Sequence, residues 1–522
     1  MKNNFIKTIG VAALLLIISV VLQFSTPNIA DPDSFYHLAH AKIYAQRGVF
    51  YGEFPWTQFS VIKNLKADIW YGFHLFLIPF AYFKDGVLGI KIAGAAITFF
   101  ALAGFYRVLA RLKITWPLVW TLAFTLAAPD VLYRLTMTRP HNLSLAIILI
   151  VFALALTRGR KMTFALLGFL SAFLHIALSW LPVFIALVSS LILKARREPV
   201  RWINLIYLIA GSVIGILTRP HPWGAVKLAY IQVVQIVAIK LQNIPLTFGR
   251  ELRPPGWDMF LRNTPLVILI LLAGLFLYRV TYRKTYDPES NAQKNIFLSA
   301  LAISAVFFFV TVFVARRSYD IFTAFAVIAS AAALTLYLKN AAPNRKNALL
   351  SGLIILIGVL GLNSLTLFKK YNDGAWTPNH LKESALWLKA NTQPDEIVFH
   401  TNWDQFGALM FWNQNNYYIN GMDPVFQYVY DPALYWKNHF MFTTDEAYNQ
   451  TCGRLKCTAE EVEDTAKVLA DDFKAAYVVL RKTQNPKTFF YWVQDGKFPL
   501  VFENKTEAVF KVTLTVKTTL QQ

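Results

Sequence analysis

Apolar runs of about 15 to 20 residues alternate with short polar connectors along the first 370 positions. The spacing suits helices crossing a hydrocarbon core, which takes roughly 20 residues per span. The runs fall at 9–24, 87–106, 114–129, 143–157, 162–176, 179–193, 202–217, 265–279, 296–314, 320–337 and 347–367. DIWYGFHLFLIPFAYF at 68–83 is also apolar, but as a span it would put Arg107, Arg111 and Lys113 on the side opposite every other basic cluster. It is therefore read as an interfacial or re-entrant helix. The first run has the basic start of a signal peptide, yet no small-x-small cleavage site follows it, so a retained span is expected.

With eleven spans and a cytoplasmic N-terminus, the inner loops hold Lys2 and Lys7; Arg107, Arg111 and Lys113; Arg158, Arg160 and Lys161; Lys194, Arg196, Arg197 and Arg201; Arg279, Arg283, Lys284 and Lys294; and Lys339, Arg345 and Lys346. The outer side then receives two long loops, 25–86 and 218–263, and everything after Lys369. That tail is polar and mixes helix-like segments (379–391 and 458–473) with strand-like ones (EIVFH, NYYIN, AAYVVLRK, FPLVF and a hairpin through EAVFKVTL). The expected fold class is an α-helical polytopic membrane domain of about 11 transmembrane helices over 1–368, followed by a mixed α/β extracytoplasmic domain over 369–522. The expected location is the cell inner membrane, with the C-terminal domain periplasmic or extracellular.

Composition agrees with this picture. Of 522 residues, 56% are hydrophobic, too many for a water-exposed surface of that size. The formal charge of +21 suggests nucleic acid only until its distribution is seen. Lys and Arg collect in the connectors, as in cytoplasmic membrane loops, so lipid and not nucleic acid is the expected partner. Cys452 and Cys457, spaced C-x4-C, are open to a local disulfide or to two free thiols.

The polar residues that structure does not require gather on the outer side. Asp31 and Asp33 follow the first span; Asp130, Arg134, Arg139 and His141 follow the third; Arg250, Glu251 and Arg253 lie in the second long loop; Arg316, Arg317 and Asp320 precede the tenth span; His175, Arg219 and His221 lie near the same face. Carboxylates at 31, 33 and 130 could hold a hard divalent cation, Mg2+ or Mn2+, unless Asp33 only caps the helix that starts beside it. His37 and His40, one turn apart, fit a metal or one exposed face of an interfacial helix. Arg316 and Arg317, with Arg139 and His141, could bind phosphate oxygens, the arginines by bidentate forks, or anchor to anionic head groups.

A first span ending in an acidic motif, an outer loop with interfacial helices and a second acid after the third span resemble the GT-C superfamily of membrane glycosyltransferases. DPDSFYHL looks like the acidic-aromatic motif that opens the first external loop in the catalytic subunit of oligosaccharyltransferase. The resemblance implies that Asp31 or Asp33 is the catalytic carboxylate, with the register between them open, and that Asp130 joins them at the metal, although APDVLY has one acid where the family usually shows two. VARRSYDIFTAFAVIASAA resembles the family segment whose arginine contacts the donor's phosphates, which gives Arg316 and Arg317 that role. HTNWDQFGALMF resembles the motif that reads the acceptor, with Asn402 for its first Trp and Gln405 for its Tyr, and so implies Trp403 and Asp404 as acceptor contacts. The implied activity is transfer from a polyprenyl-phosphate or polyprenyl-diphosphate sugar to a glycan, protein or lipid acceptor, inverting and metal-dependent. A transporter or flippase of a lipid-linked substrate is the rival class; it predicts mid-span charges and internal symmetry, neither of which the sequence displays. A non-catalytic sensor would need no acidic site.

Overall fold

The structure is a computed structural model that describes residues 2–282, 287–443, 445 and 449–513. Arg283 and Lys284 of one expected inner cluster, and Leu514 with the residues after it, lie outside the described residues.

Every expected span coincides with an apolar helix. Six are long enough to cross a bilayer: Ile6–Phe24, Gly86–Arg111, Ile176–Ala195, Pro288–Val314, Arg316–Leu338 and Pro343–Asp373. Two more are bent pairs, Pro117–Thr125 with Pro129–Leu135 at 93° and Trp257–Asn263 with Pro265–Thr281 at 75°. A proline starts the second helix of each pair, where a missing N–H costs nothing. The remaining three, His141–Leu156, Lys161–Leu174 and Trp202–Leu217, fall short of 18 residues, so length and composition alone do not give eleven spans. The chain is a multi-pass membrane protein.

The Ala-rich helix Tyr319–Leu338 is the bundle's centre: in the Arg316–Leu338 segment 89% of the apolar window is buried, against 17% in Pro343–Asp373. Its small side chains admit close neighbours, and a Cβ at Gly274 would sit 2.9 Å from Ser330 Cα. Gly86–Arg111 shows how the ends differ. Near its start Lys91 reaches the carbonyl of Thr26 at 2.7 Å. At its other end Arg111 lines a cavity of about 610 Å³ together with Lys113, Arg158, Glu198, Lys339 and Lys346. With Glu289 and Gln293 also on its wall, five of the expected inner loops meet at one end of the bundle.

The opposite end carries a second layer. The stretch after the first span folds as α1 (Asp33–Arg47), α2 (Val61–Leu65) and α3 (Tyr71–Ala81). At 11 residues α3 rises only about 16 Å and cannot cross the membrane. Pro222–Leu241 differs from expectation: within the second long loop it is a helix long and apolar enough to be a span. Its buried residues Ala225, Leu228, Ile231, Ile236 and Ile239 pack with Trp56, Trp70, Phe406 and Val398 of this second layer, not with the bundle core.

The C-terminal domain is α/β. Its strands are β1 (Ile397–His400), β2 (Tyr417–Tyr418), β3 (Gln450–Thr451), β4 (Glu463–Asp464), β5 (Ala475–Arg481), β6 (Leu500–Glu503) and β7 (Glu507–Lys511). Five form one sheet in the order β2-β1-β5-β7-β6, parallel from β2 to β5 and antiparallel beyond. The segment 458–473, expected as one helix, is broken: β4 leaves it to pair with β3, beside the Cys452–Cys457 disulfide. The sheet's residues Val398, Tyr477 and Val509 share an apolar cluster with Phe35, Trp70 and Phe73, so the domain is packed directly onto the α1 and α3 region.

Candidate active site

The acidic residues come together through arginines. Arg139 stands at the centre. Its Nε and Nη2 donate to the two oxygens of Asp31, Nη2 also donates to Asp33 Oδ2, and Nη1 reaches Glu251 Oε1 at 2.9 Å. Arg134 continues the chain, 3.6 Å from Glu251 Oε2 and 3.2 Å from Asp320 Oδ2. Alternating charges therefore run from the start of α1 to the start of the central helix. Local bonds hold the segments in place. Tyr133 donates to the carbonyl of Ala30, and Ile29 pairs with Trp376 at the entry to the C-terminal domain. Gly407 lies against α1, where a Cβ would meet the carbonyl of Pro32, between the two acids, at 2.8 Å.

Asp33 begins α1, but its side chain is given to Arg139 and not spent on capping. Asp31 is the more enclosed of the two, its side chain 4% exposed against 14% for Asp33. Burial raises the carboxyl of Asp33 well above the usual range; Arg139 opposes this, and neighbouring Asp31, Glu251 and Asp423 add to it. Burial also pushes Glu251 upward, but Arg139, Arg134 and Arg317 outweigh it and hold that carboxyl at about 2.

Asp130 takes a different partner. Arg316 donates to its Oδ1, and Asn263 to its Oδ2 at 2.8 Å. The three-carboxylate cation site expected from Asp31, Asp33 and Asp130 is thus not assembled: Arg139 draws the first two together, while Asp130 is held apart by Arg316 and Asn263. Among the described residues, the group whose ligand atoms lie within 4.8 Å of one another is His40, Asp68 and His74. His37 and His40, expected either at a metal or on an exposed face, are both buried.

The expected phosphate contacts also separate. Arg139 and Arg316 are committed to carboxylates. His141 Nε2 lies 3.2 Å from the carbonyl of Arg134 and braces the turn that carries the arginines. Arg317 makes no ion pair among the described residues, although Glu251 and Asp423 bear on it electrostatically. Arg219 is bonded to backbone carbonyls of Asp68 and Ala172, away from the network.

The proposed acceptor pair divides. Trp403 Nε1 donates to the carbonyl of Thr247 at 3.0 Å, four residues before Glu251. Asp404 is instead influenced by Arg481 on β5; its Oδ1 is buried without a hydrogen-bond partner, and burial raises its carboxyl to about 6. The domain's acid that acts on Asp33 is Asp423 and not Asp404. Asp-Pro there signals a helix N-cap, and Asp423 does accept from Val425 N–H at 3.0 Å, but nothing in that signal reveals the charge's reach.

No family model matches the chain, and no curated protein matches it. Solved structures do. The archaeal oligosaccharyltransferase AglB from Archaeoglobus fulgidus, in complex with an inhibitory peptide and a dolichol-phosphate, superposes with a TM-score of 0.59 at 12% identity, covering 91% of this chain and 69% of that one. ArnT from Cupriavidus metallidurans bound to undecaprenyl phosphate gives 0.53 at 12%, covering 99% of both chains. An AglB structure complexed with Zn and sulfate gives 0.53 at 11%, covering 96% of this chain and 73% of the other. Both neighbours are GT-C glycosyltransferases, and the likeness is one of fold.

Proposed function

We propose that this chain is a membrane glycosyltransferase that moves a sugar or oligosaccharide from a polyprenyl-phosphate or polyprenyl-diphosphate donor to an acceptor at the outer face of the inner membrane. The observation that carries the reading is the Asp31–Arg139–Asp33 cluster, with the uncommitted Arg317 nearby, at one end of an apolar bundle. The bundle offers lipid-facing surface for the donor's tail, and the charged end offers contacts for its head. The neighbours support this donor class, since AglB was solved with a dolichol-phosphate and ArnT with undecaprenyl phosphate.

Asp33 is the candidate base. It is the less enclosed acid, and burial biases it toward holding a proton, as a base working near neutrality requires. It takes the proton of the acceptor's hydroxyl or amine as that atom bonds to the anomeric carbon. The bond from this carbon to the phosphate oxygen breaks on the opposite face, the lipid phosphate leaves with the electron pair, and the configuration inverts. Arg317 offers a bidentate fork to the departing charge. Asp31 and Glu251 position Arg139, which in turn fixes Asp33. Mg2+ or Mn2+ does not fit Asp31, Asp33 and Asp130 while Arg139 and Arg316 hold their oxygens, and no step passes through a metal.

The test is consumption of polyprenyl-phosphate and polyprenyl-diphosphate sugars by the purified full chain. Asp33→Asn should lower turnover by about 10²- to 10⁴-fold with the fold retained. Full turnover in the double Asp31→Asn, Asp33→Asn variant would remove the reading. Movement of the labelled lipid across proteoliposomes without sugar release would replace it with transport.

A further inference from the structure

One buried polar cluster takes no part in this chemistry. His40 on α1, His74 on α3 and Asp68 just ahead of α3 are 5%, 0% and 9% exposed. His74 Nδ1 lies 2.6 Å and His40 Nε2 3.8 Å from Asp68 Oδ2. Two ligands each about 2.0 Å from a tetrahedral ion stand roughly 3.3 Å apart, a value these spacings bracket.

The other polar atoms of the three residues are already held. His40 Nδ1 bonds to Tyr36 OH at 2.9 Å, His74 Nε2 to His37 Nδ1 at 2.8 Å, and Asp68 Oδ1 accepts from Trp70 N–H at 2.8 Å. Outer partners of this kind orient metal ligands. Tyr44 OH adds a bond to Asp68 Oδ2 at 3.0 Å. Among the described residues no Lys or Arg side chain pairs with the Asp68 carboxylate, since Arg219 donates to that residue's backbone carbonyl. The carboxylate is held ready by hydrogen bonds to Trp70 N–H, Tyr44 OH and His74, and a divalent ion there would meet no competing Lys or Arg.

We propose that His40, Asp68 and His74 bind a divalent metal of the Zn2+ class, separate from the acid network, with water as fourth ligand. Two imidazoles and one carboxylate suit Zn2+ and not the all-oxygen shell of Mg2+. Binding exchanges the His74–Asp68 hydrogen bond for two metal bonds. The His40 and His74 rings stack at 4.3 Å and 21°, so one of them turns to bring its nitrogen onto the ion. His74 then carries its proton on Nε2 and donates it to His37 Nδ1, and His37 becomes protonated at Nε2; the pair changes tautomer without net loss of a proton. Because Asp33 opens the helix that carries His40, the ion would pin the acid site's helix to α3.

The test uses the full-length protein, stripped with chelator and titrated with Co2+. One equivalent should bind with the visible bands of a tetrahedral site, and Zn2+ should bleach them. Asp68→Asn, close in shape to the native residue, and His74→Ala should each abolish the bands, while Tyr36→Phe should weaken binding about 10- to 100-fold. Absence of Co2+ binding by the wild-type protein would overturn the proposal. Bands that persist in Asp68→Asn and vanish in Asp33→Asn would do the same, by placing the metal on the acid pair. The readout is metal binding, so it stands whether or not the chain transfers sugar.

Discussion

Two of the regions that enclose carboxylates in this molecule neutralise them differently. At the end of the bundle that carries the second layer, Asp31, Asp33, Glu251, Asp320 and Asp130 each meet a guanidinium directly. In the C-terminal domain Asp404 and Asp423 meet none, and burial lifts both to about 6. In the first region the cations are arginines, which do not titrate at ordinary pH; they hold Glu251 ionised, while burial raises Asp31 and Asp33 in spite of Arg139. The second gains or loses charge near neutrality. On the proposed function, a phosphorylated donor calls for fixed cations of the first kind, and a domain packed over the site can tolerate the second arrangement.

Removing the central guanidinium should convert the first region into the second. Arg139→Met leaves Asp31, Asp33 and Glu251 buried without that partner and should cost about 3–5 kcal/mol of stability at neutral pH. The sign with pH follows from Glu251. Its folded value of about 2 lies below the usual 4.5, so its contribution is fully present above pH 4.5 and is lost as pH falls toward 2. The gap between wild type and variant should therefore be full at pH 7 and close toward pH 3, as read from thermal unfolding in detergent. A gap that does not change with pH would mean that Arg139 acts through packing alone.

The same contrast explains what could be read from the sequence. The apolar helices behind the expected runs were legible because lipid demands a continuous apolar run wherever a helix crosses, although only eight of the eleven pass as spans by length and composition; the sheet's strands were legible because β-branched and aromatic runs were bounded by turn residues. Pro222–Leu241 escaped: its composition suits a span, and only its partners, Trp56, Trp70 and Phe406 from distant parts of the chain, place it in the second layer. In the site, the residue types and their common end of the bundle were legible, but the pairing was not. Arg139 and Asp31 are 108 residues apart and Arg316 and Asp130 are 186 apart, and no local pattern encodes which fork meets which acid. Asp68 and His74 were hidden inside a stretch that hydropathy marks only as apolar. His37 and His40 were expected on an open face because nothing local shows Trp70 and His74 closing over them.

A smaller effect separates the arginines within the first region. Arg316 is bound to Asp130 and stands 5.9 Å over the ring of Tyr371, whereas Arg317 is uncommitted. Arg317→Lys keeps the charge and loses the fork, so binding of a polyprenyl-phosphate probe should weaken about tenfold with little change in melting. Arg316→Lys should do the reverse, lowering stability more than affinity. If the two variants weaken the probe equally, both arginines touch phosphate and the division drawn between them fails.

The smallest effect belongs to the second region and decides what Asp404 does. Its folded value of about 6 lies above the ordinary 3.8, so its ionisation opposes folding: stability is highest below pH 3.8 and falls as pH rises through 6. Asp404→Asn removes that penalty and should make the protein more stable than wild type at pH 8, by about 1 kcal/mol once partial solvent exposure is allowed for, with no advantage at pH 4. An acceptor contact would behave otherwise, because the substitution would then raise the KM for acceptor at every pH while donor binding persisted. Asp423→Asn supplies the control, since that acid acts on Asp33 directly and its loss should lower the pH at which turnover rises. A higher acceptor KM in Asp404→Asn, with an unshifted pH profile in Asp423→Asn, would move the acceptor site from the edge of the acid network to the face of the sheet beside Arg481.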